Sequence, residues 1–258
     1  MDLSDIMVRV VNKLRQRAGL SMESDRFGMD AAEVPASERK ETELHELFYG
    51  NDGPLVHKWR HYLAIYDRHL SRFRGRSPRL LELGVSQGGS LVLWRRYFGP
   101  DATIFGVDIE PRCAAFNGQH AQVRIGSQAD PAFLAGVVAE MGGLDIVIDD
   151  GNHVNSYQRI SLDVLFPQLS AEGVYICEDL HTSYWRGTYE GGYRRRSSFI
   201  ETAKRIVDDM HADFHGHGEG VPGASRSVHG IHFYNSMVVI EKKPQHRPAH
   251  IRVGTNQF

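Results

Sequence analysis

Cysteine is nearly absent from this sequence: 258 residues contain two, Cys113 and Cys177. Two thiols make no disulfide framework, and both fall in or near apolar stretches, which suits a reducing compartment. No apolar run approaches the ~18 residues of a membrane span. The N-terminus lacks the apolar segment of a secretory signal, so a cytoplasmic protein is expected. An excess of one charge is missing too, with 30 Lys and Arg against 32 Asp and Glu and a net charge of -2. That balance excludes the field needed to hold nucleic acid or another polyanion. No lysine occurs between Lys58 and Lys204, so none is expected beside the strand ends described next. What is abundant is apolar side chain, 41% of the total, enough for one large α/β domain with elaborations.

The most informative stretch is Leu144 to His153, L-D-I-V-I-D-D-G-N-H. Ile146, Val147 and Ile148 make a short β-branched run of the kind that forms a buried strand, and it stops on Asp149, Asp150, Gly151 and His153. A second strand, Gly173 to Cys177, stops on Glu178 and Asp179 in the same way. In open α/β sheets ligands lie outside the carboxyl ends of the strands. Two neighbouring strands ending in acids therefore place several oxygens around one cation. Such a set of hard ligands favours Mg²⁺ over zinc, which prefers His and Cys. The structural alternative is that Asp149 and Asp150 cap the helix beginning near Asn155 while Glu178 and Asp179 pair with arginines.

Three earlier strands also end on polar or glycine-rich turns. Arg79 to Leu83 runs into Gly84-Val85-Ser86-Gln87-Gly88-Gly89-Ser90, followed by a helix over Leu91 to Phe98. Strand, glycine turn and helix bring backbone close to a ligand, although the spacing is not G-x-G-x-x-G. Thr103 to Val107 ends on Asp108, placed to accept the hydroxyls of a ribose or to cap the next helix. Gln122 to Ile125 ends at Gly126-Ser127-Gln128-Ala129-Asp130, which either edges an adenine ring or caps the helix from Pro131 to Met141.

Ahead of this sheet, residues 4–18 read as a basic amphipathic helix, 21–42 as a polar loop or lid, and 43–73 as two helical pieces broken at Gly50 to Pro54. The second piece carries His57, Trp59, Tyr62, Tyr66 and His69, a stripe that serves either as core or as the roof of a site. Beyond the sheet, Thr182 to Arg196 holds Tyr184, Trp185, Tyr189 and Tyr193 between glycines, an arrangement suited to stacking on a sugar face or to a plain surface loop. Arg194 to Arg196 is either a solvated run or a diphosphate contact. Phe199 to His211 reads as an amphipathic helix. His215 and His217 sit in a loop without a metal partner set, and Ile231 to Lys242 reads as two strands or a bulged hairpin.

Taken together, ELGVSQGGS, VDIEP, GSQAD and DIVIDDGNH resemble class I S-adenosylmethionine-dependent methyltransferases over roughly residues 79–242. The resemblance implies a Rossmann-like α/β sheet of seven strands, the last antiparallel, over residues 79–258, with a helical N-terminal arm over 1–78. It implies that Glu82, Gly84 and Gly88 line the methionine end and that Asp108 holds the ribose. Ser127 and Gln128 would lie by the adenine, although Ser127 stands where a carboxylate often sits. Ser90 is grouped with these contacts. Asp149 serves either the cofactor or the fold.

A divalent ion at such a centre can hold two neighbouring hydroxyls, align one with the methyl sulfonium and lower its pKa. His153, as an imidazole, can take the proton. Asp150-x-x-His153, Glu178-Asp179 and the following Leu180 to Trp185 resemble the metal-dependent deoxysugar O-methyltransferases of macrolide biosynthesis. That resemblance implies Asp150, Glu178 and Asp179 as Mg²⁺ ligands and His153 as general base. The expected partner is a small-molecule sugar or glycoside, with Tyr184, Trp185, Tyr49 and His57 as candidate contacts. A homo-oligomer without nucleic-acid or membrane partners is expected. The rival readings are an O-methyltransferase for a phenolic vicinal diol, a related sheet that hydroxylates or regulates, and a cofactor-binding scaffold without catalysis.

Overall fold

The structure is a computed structural model that describes residues 28–211, 213–214 and 227–256. The expected helix over 4–18 and the histidines at 215 and 217 lie outside the described residues. The chain divides into two compact units, Met1–Gly50 and Asn51–Phe258. In the first, two short 3-10 turns, Ala31–Glu33 and Glu38–Lys40, lead into helix α1, Glu43–Tyr49. These turns occupy part of the stretch expected to be loop.

The second unit holds a seven-stranded sheet. Its strands are β1 (Arg79–Leu83), β2 (Thr103–Asp108), β3 (Gln122–Ile125), β4 (Leu144–Asp149), β5 (Leu169–Cys177), β6 (Val228–Tyr234) and β7 (Met237–Lys242). Their order is β3-β2-β1-β4-β5-β7-β6. The first five strands are parallel, and the terminal hairpin joins through β7, which pairs antiparallel with β5. The strand order reverses direction between β1 and β4, the switch point at which open sheets bind ligands.

Helices cover both faces. They are α2 (Tyr62–Leu70), α3 (Gly89–Phe98), α4 (Pro131–Met141), α5 (Asn155–Leu165) and α6 (Phe199–Met210). Local chemistry sets their ends. Asp130 accepts the amides of Ala132 and Phe133 ahead of Pro131, and Gly142 closes α4 with φ +74°. Ser198 accepts the amide of Glu201 to start α6.

Side-chain alternation along the strands divides the interior. Leu81, Leu83, Val147, Tyr175 and Cys177 face α4, α5 and α6, where Leu134, Leu162 and Phe199 complete an apolar cluster. Glu82, between Leu81 and Leu83, faces the other way and meets Ser90 and Trp94 of α3. At the amino ends of the strands, Arg79 forks onto Asp145 with contacts of 2.9 Å and stitches β1 to β4. Cys113 and Cys177 are buried and unpaired. Among the described residues no helix is long and apolar enough to cross a membrane.

Candidate active site

The carboxyl ends of β1, β2 and β3 line a cleft of about 240 Å³ with the turn after β4. Gly84, Asp108, Ser127, Gln128 and Asp150 all border it, as do Gly151, Asn152 and Tyr157, none of them among the expected cofactor contacts. Gly84 has φ +95°, and a Cβ there would stand 2.0 Å from the Asp150 carbonyl oxygen. Only glycine lets these two turns touch. Asp108 organises the glycine turn directly: its Oδ2 accepts the amides of Val85 at 2.8 Å and Ser86 at 3.0 Å, and its Oδ1 accepts that of Glu110 at 2.8 Å. A carboxylate has about four acceptor positions; three are taken by these amides, and the Cys113 thiol also lies against it. The cap of the turn Pro111–Phe116 is Glu110 rather than Asp108.

Four predicted residues sit beneath the cleft rather than on it. Asp149 is fully buried and accepts the Tyr175 hydroxyl at 2.7 Å and the Gln128 amide at 3.1 Å. Burial pushes its carboxyl up to about 6 against those hydrogen bonds. Gln128 in turn accepts the Asn152 amide at 2.9 Å, so this pair fixes the turn that carries Asp150 and His153. Glu82 accepts Ser90 Oγ at 2.7 Å and Trp94 Nε1 at 3.2 Å, and burial pushes it up to about 7. Gly88 opens α3 with φ +78° and packs against Phe116.

Beside the cleft, β4 and β5 bring Asp150, His153, Glu178 and Asp179 together. His153 Nε2 lies 3.4 Å from Asp179 Oδ2 and 3.8 Å from Asp150 Oδ1. Its Nδ1 is buried without a hydrogen-bond partner among the described residues. His153 and Asp179 both have positive φ, +58° and +55°, a conformation uncommon for residues with a Cβ and concentrated at functional sites. Asp179 Oδ1 is pinned by Trp59 Nε1 at 3.0 Å and the Tyr62 hydroxyl at 2.9 Å. Burial opposes its charge, but His153, His181 and the Tyr62 hydroxyl outweigh that and hold the carboxyl below the usual range. Glu178 takes a short hydrogen bond from the Tyr66 hydroxyl. Burial and the neighbouring Asp150 push its carboxyl well up, with Lys58 opposing.

Lys58 corrects the expectation that no lysine stands near these strand ends. It comes from the non-helical segment before α2, which was expected to be part of a helix. A Cβ at Gly89 would stand 2.3 Å from the Leu55 carbonyl oxygen, so the bare start of α3 lets that segment pass over it. The Lys58 ammonium then reaches Asp150 Oδ2 at 2.5 Å, both Glu178 oxygens at 3.0 Å and Glu82 at 3.8 Å. Burial works against its charge, yet the three carboxylates keep it firmly protonated.

The same contact tests whether a divalent cation suits these residues. Oxygens of Asp150 and Glu178 converge on one cation-sized point, and ligand atoms of Asp150, His153 and Asp179 lie within 4.8 Å of one another. Hard oxygens in that arrangement fit Mg²⁺.

Above Asp179 a ladder of rings leads outward. Trp59 meets His181 at 5.7 Å, His181 meets Trp185 at 4.7 Å, and Trp185 meets Tyr189 at 5.5 Å. The Thr182 to Arg196 segment is ordered by Asn155, which donates to the Tyr189 carbonyl at 2.6 Å and accepts from Ser183 at 2.7 Å and Phe199 at 2.5 Å. Of the predicted acceptor contacts, Trp185 belongs to the ladder, whereas Tyr184 and His57 are exposed. Tyr49 lies in the other unit, in edge contact with Phe48.

The strand order, the glycine turn at the switch point and the acidic ends of β4 and β5 define the class I S-adenosylmethionine-dependent methyltransferase fold. No family model matches the chain. Among curated proteins it is 34% identical over 213 residues to the 8-demethyl-8-alpha-L-rhamnosyl tetracenomycin-C 2'-O-methyltransferase of Streptomyces olivaceus, covering 76% of this chain and 53% of that protein. It is 36% identical over 202 residues to the demethylmacrocin O-methyltransferase of Streptomyces fradiae, covering 73% of this chain and 51% of that protein. The chain thus spans about half the length of these relatives. A solved MycE methyltransferase from the mycinamycin biosynthetic pathway, in complex with Mg, SAH and mycinamycin VI, superposes with a TM-score of 0.70 at 30% identity. That match covers 79% of this chain and 54% of the solved one. Within its class, the chain resembles the sugar O-methyltransferases of macrolide and tetracenomycin pathways.

Proposed function

We propose that this chain catalyses S-adenosylmethionine-dependent, Mg²⁺-assisted O-methylation of a sugar hydroxyl, on a natural product or a nucleotide-sugar. The observation that carries the reading is the convergence of Asp150, Glu178, Asp179 and His153 beside the cleft built on Gly84 and Asp108. The relatives and the solved neighbour support it by what their names say they methylate or hold.

Gly84, Asp108, Ser127 and Gln128 are the proposed cofactor contacts, and Asp150, Glu178 and Asp179 would hold the ion. When bound, Mg²⁺ lowers the pKa of a neighbouring hydroxyl and orients it. The rest falls to the protein. Trp59 and Tyr62 fix Asp179, and Asp179 aims His153. The acceptor oxygen forms its bond to the methyl carbon as the carbon–sulfur bond breaks and the electron pair returns to sulfur. The hydroxyl proton goes to the His153 imidazole, and the neighbouring Asp179 and Asp150 offset the charge it gains. The products are a methyl ether and S-adenosylhomocysteine. The Trp59, His181, Trp185 and Tyr189 rings supply apolar faces for a sugar or aglycone.

The reading includes a cytoplasmic location, a homo-oligomer, and a helical arm or lid over 1–78 ahead of a catalytic domain over 79–258. A phenolic vicinal diol is the second acceptor class, favoured by the Lys58 ammonium at Asp150, a fixed cation beside the acidic strand ends that suits an ionised phenolic oxygen. Incubation with S-adenosylmethionine, Mg²⁺ and either deoxysugar glycosides or catechols, with and without chelator, separates the two. S-adenosylhomocysteine formed only with glycosides, and abolished by chelator, is expected. Turnover of catechols alone overturns the sugar reading.

A further inference from the structure

A second cluster lies away from the acidic strand ends. His69 closes α2, His232 sits on β6 and Glu241 on β7. Their ligand atoms all lie within 4.8 Å of one another. Glu241 Oε1 is 3.3 Å from His69 Nδ1, and Glu241 Oε2 is 3.5 Å from His232 Nε2. Ligand atoms about 2.0 Å from a tetrahedral zinc are themselves on the order of 3.3 Å apart.

Three further observations point inward to the same spot. His232 Nε2 is buried and has no hydrogen-bond partner among the described residues, so a nitrogen lone pair or proton is left unspent there. Gly230 pairs across the hairpin with Glu241, and a Cβ on it would stand 3.5 Å from His232 Nε2 and 3.6 Å from Glu241 Oε2. The missing side chain leaves the approach open. The other nitrogen of His69 meets the Tyr234 hydroxyl at 2.9 Å, the outer contact that commonly orients a metal-bound imidazole. The Arg72 guanidinium lies 3.8 Å from Glu241 Oε1, but it is 42% exposed and also donates to the Glu172 carbonyl.

We propose that His69, His232 and Glu241 form a binding site for a transition-metal dication of the zinc class, with water in the fourth position. Two imidazoles and one carboxylate select zinc or cobalt over Mg²⁺. The ion would clasp the end of α2 to the β6–β7 hairpin. The same helix presents the Tyr62 and Tyr66 hydroxyls to Asp179 and Glu178, so the clasp would steady the far end of the helix that braces the acidic centre.

The test uses the full chain, stripped with chelator and then held in excess Mg²⁺ to saturate hard-oxygen sites. Cobalt(II) is titrated and followed by the intense visible absorption of four-coordinate cobalt. The expected result is one equivalent bound, displaced by zinc, with affinity reduced more than about a hundredfold in His232→Ala and about tenfold in Tyr234→Phe. Asp179→Asn should bind cobalt as wild type does. Glu241→Gln, close in shape to the native side chain, gives a second ligand deletion should His232→Ala fold poorly, and its loss of binding should match. Absence of the four-coordinate spectrum in wild type overturns the site, as does its persistence in His232→Ala or its loss in Asp179→Asn.

Discussion

The Lys58 ammonium lies 2.5 Å from Asp150 Oδ2, joined across 92 positions of sequence. It neutralises the carboxylates that the proposed ion needs, and the two cations compete for one place. Replacing Lys58 by Met should raise Mg²⁺ affinity by about tenfold or more, because a unit charge a few ångströms away changes cation binding by over a kilocalorie per mole even with strong screening. The metal-free variant should be less stable than wild type by on the order of 3 kcal/mol, since a broken buried pair leaves charge uncompensated. Mg²⁺ should recover that loss. Calorimetric titration and thermal melts check both halves, and unchanged Mg²⁺ affinity would remove Lys58 as a competitor.

Replacing His153 by Ala should lower turnover by about 10²- to 10⁴-fold, the usual contribution of a positioned general base. Binding of S-adenosylhomocysteine should persist, because His153 does not border the cleft over Gly84 and Asp108. Equal turnover in the variant would take the proton away from His153.

Glu82 sets a pH dependence. Burial, the first cause, pushes its carboxyl from the ordinary 4.5 up to about 7. A carboxyl raised on folding is protonated more readily in the folded state. It therefore contributes stability that is complete below about pH 4.5 and is lost as pH rises through 7. The loss amounts to on the order of 3 kcal/mol. Glu82→Gln starts from a different baseline, because its amide meets the Ser90 and Trp94 donors, but it should lack this slope. Melting midpoints of metal-free wild type and variant across pH 4.5 to 7.5 measure it. Parallel curves would contradict the assignment.

Asn155 is fully buried and serves Ser183, Tyr189 and Phe199 at once. Its replacement by Ala strands donors and acceptors in the interior at about 2–4 kcal/mol. For a chain of this length the melting midpoint should fall by roughly 5–10 °C. Because the Thr182 to Arg196 segment hangs from this residue, KM for the acceptor should rise more than kcat falls. A fall in kcat alone would show that the segment does not shape acceptor binding.

The parts of this molecule legible in its sequence are contiguous ones. β4 and its acidic turn lie within ten residues, Leu144 to His153, so β-branched spacing and the terminal acids could be read together. The same holds for Asp108 at the end of β2 and for Asp130 with Pro131 at the start of α4. What could not be read arrives from a distance or depends on the face a side chain takes. Lys58 sits in an aperiodic segment whose aromatics mimic a helical stripe, and only the passage over Gly89 delivers it. Asp149 and Asp150 are adjacent and chemically alike, yet pleating sends Asp149 down to Tyr175 and Gln128 while Asp150 opens to the cleft. Glu82 similarly turns away from the cleft toward α3. Asn155 resembles any polar residue at a helix start. The cue that it differs is its place five residues after Asp150, at the first position of the helix that follows the acidic turn.

Tyr62, Tyr66 and His69 share one side of α2, each engaged with a different acid: Asp179, Glu178 and Glu241. Each residue advances a helix by about 100°. Inserting or deleting a single residue between Tyr62 and Tyr66 would therefore turn Tyr62 out of line with Tyr66 and His69, whatever residue was added. Among diverging copies of this chain, insertions should be purged from this stretch more strictly than substitutions, and spacing rather than identity is the quantity that descent must keep.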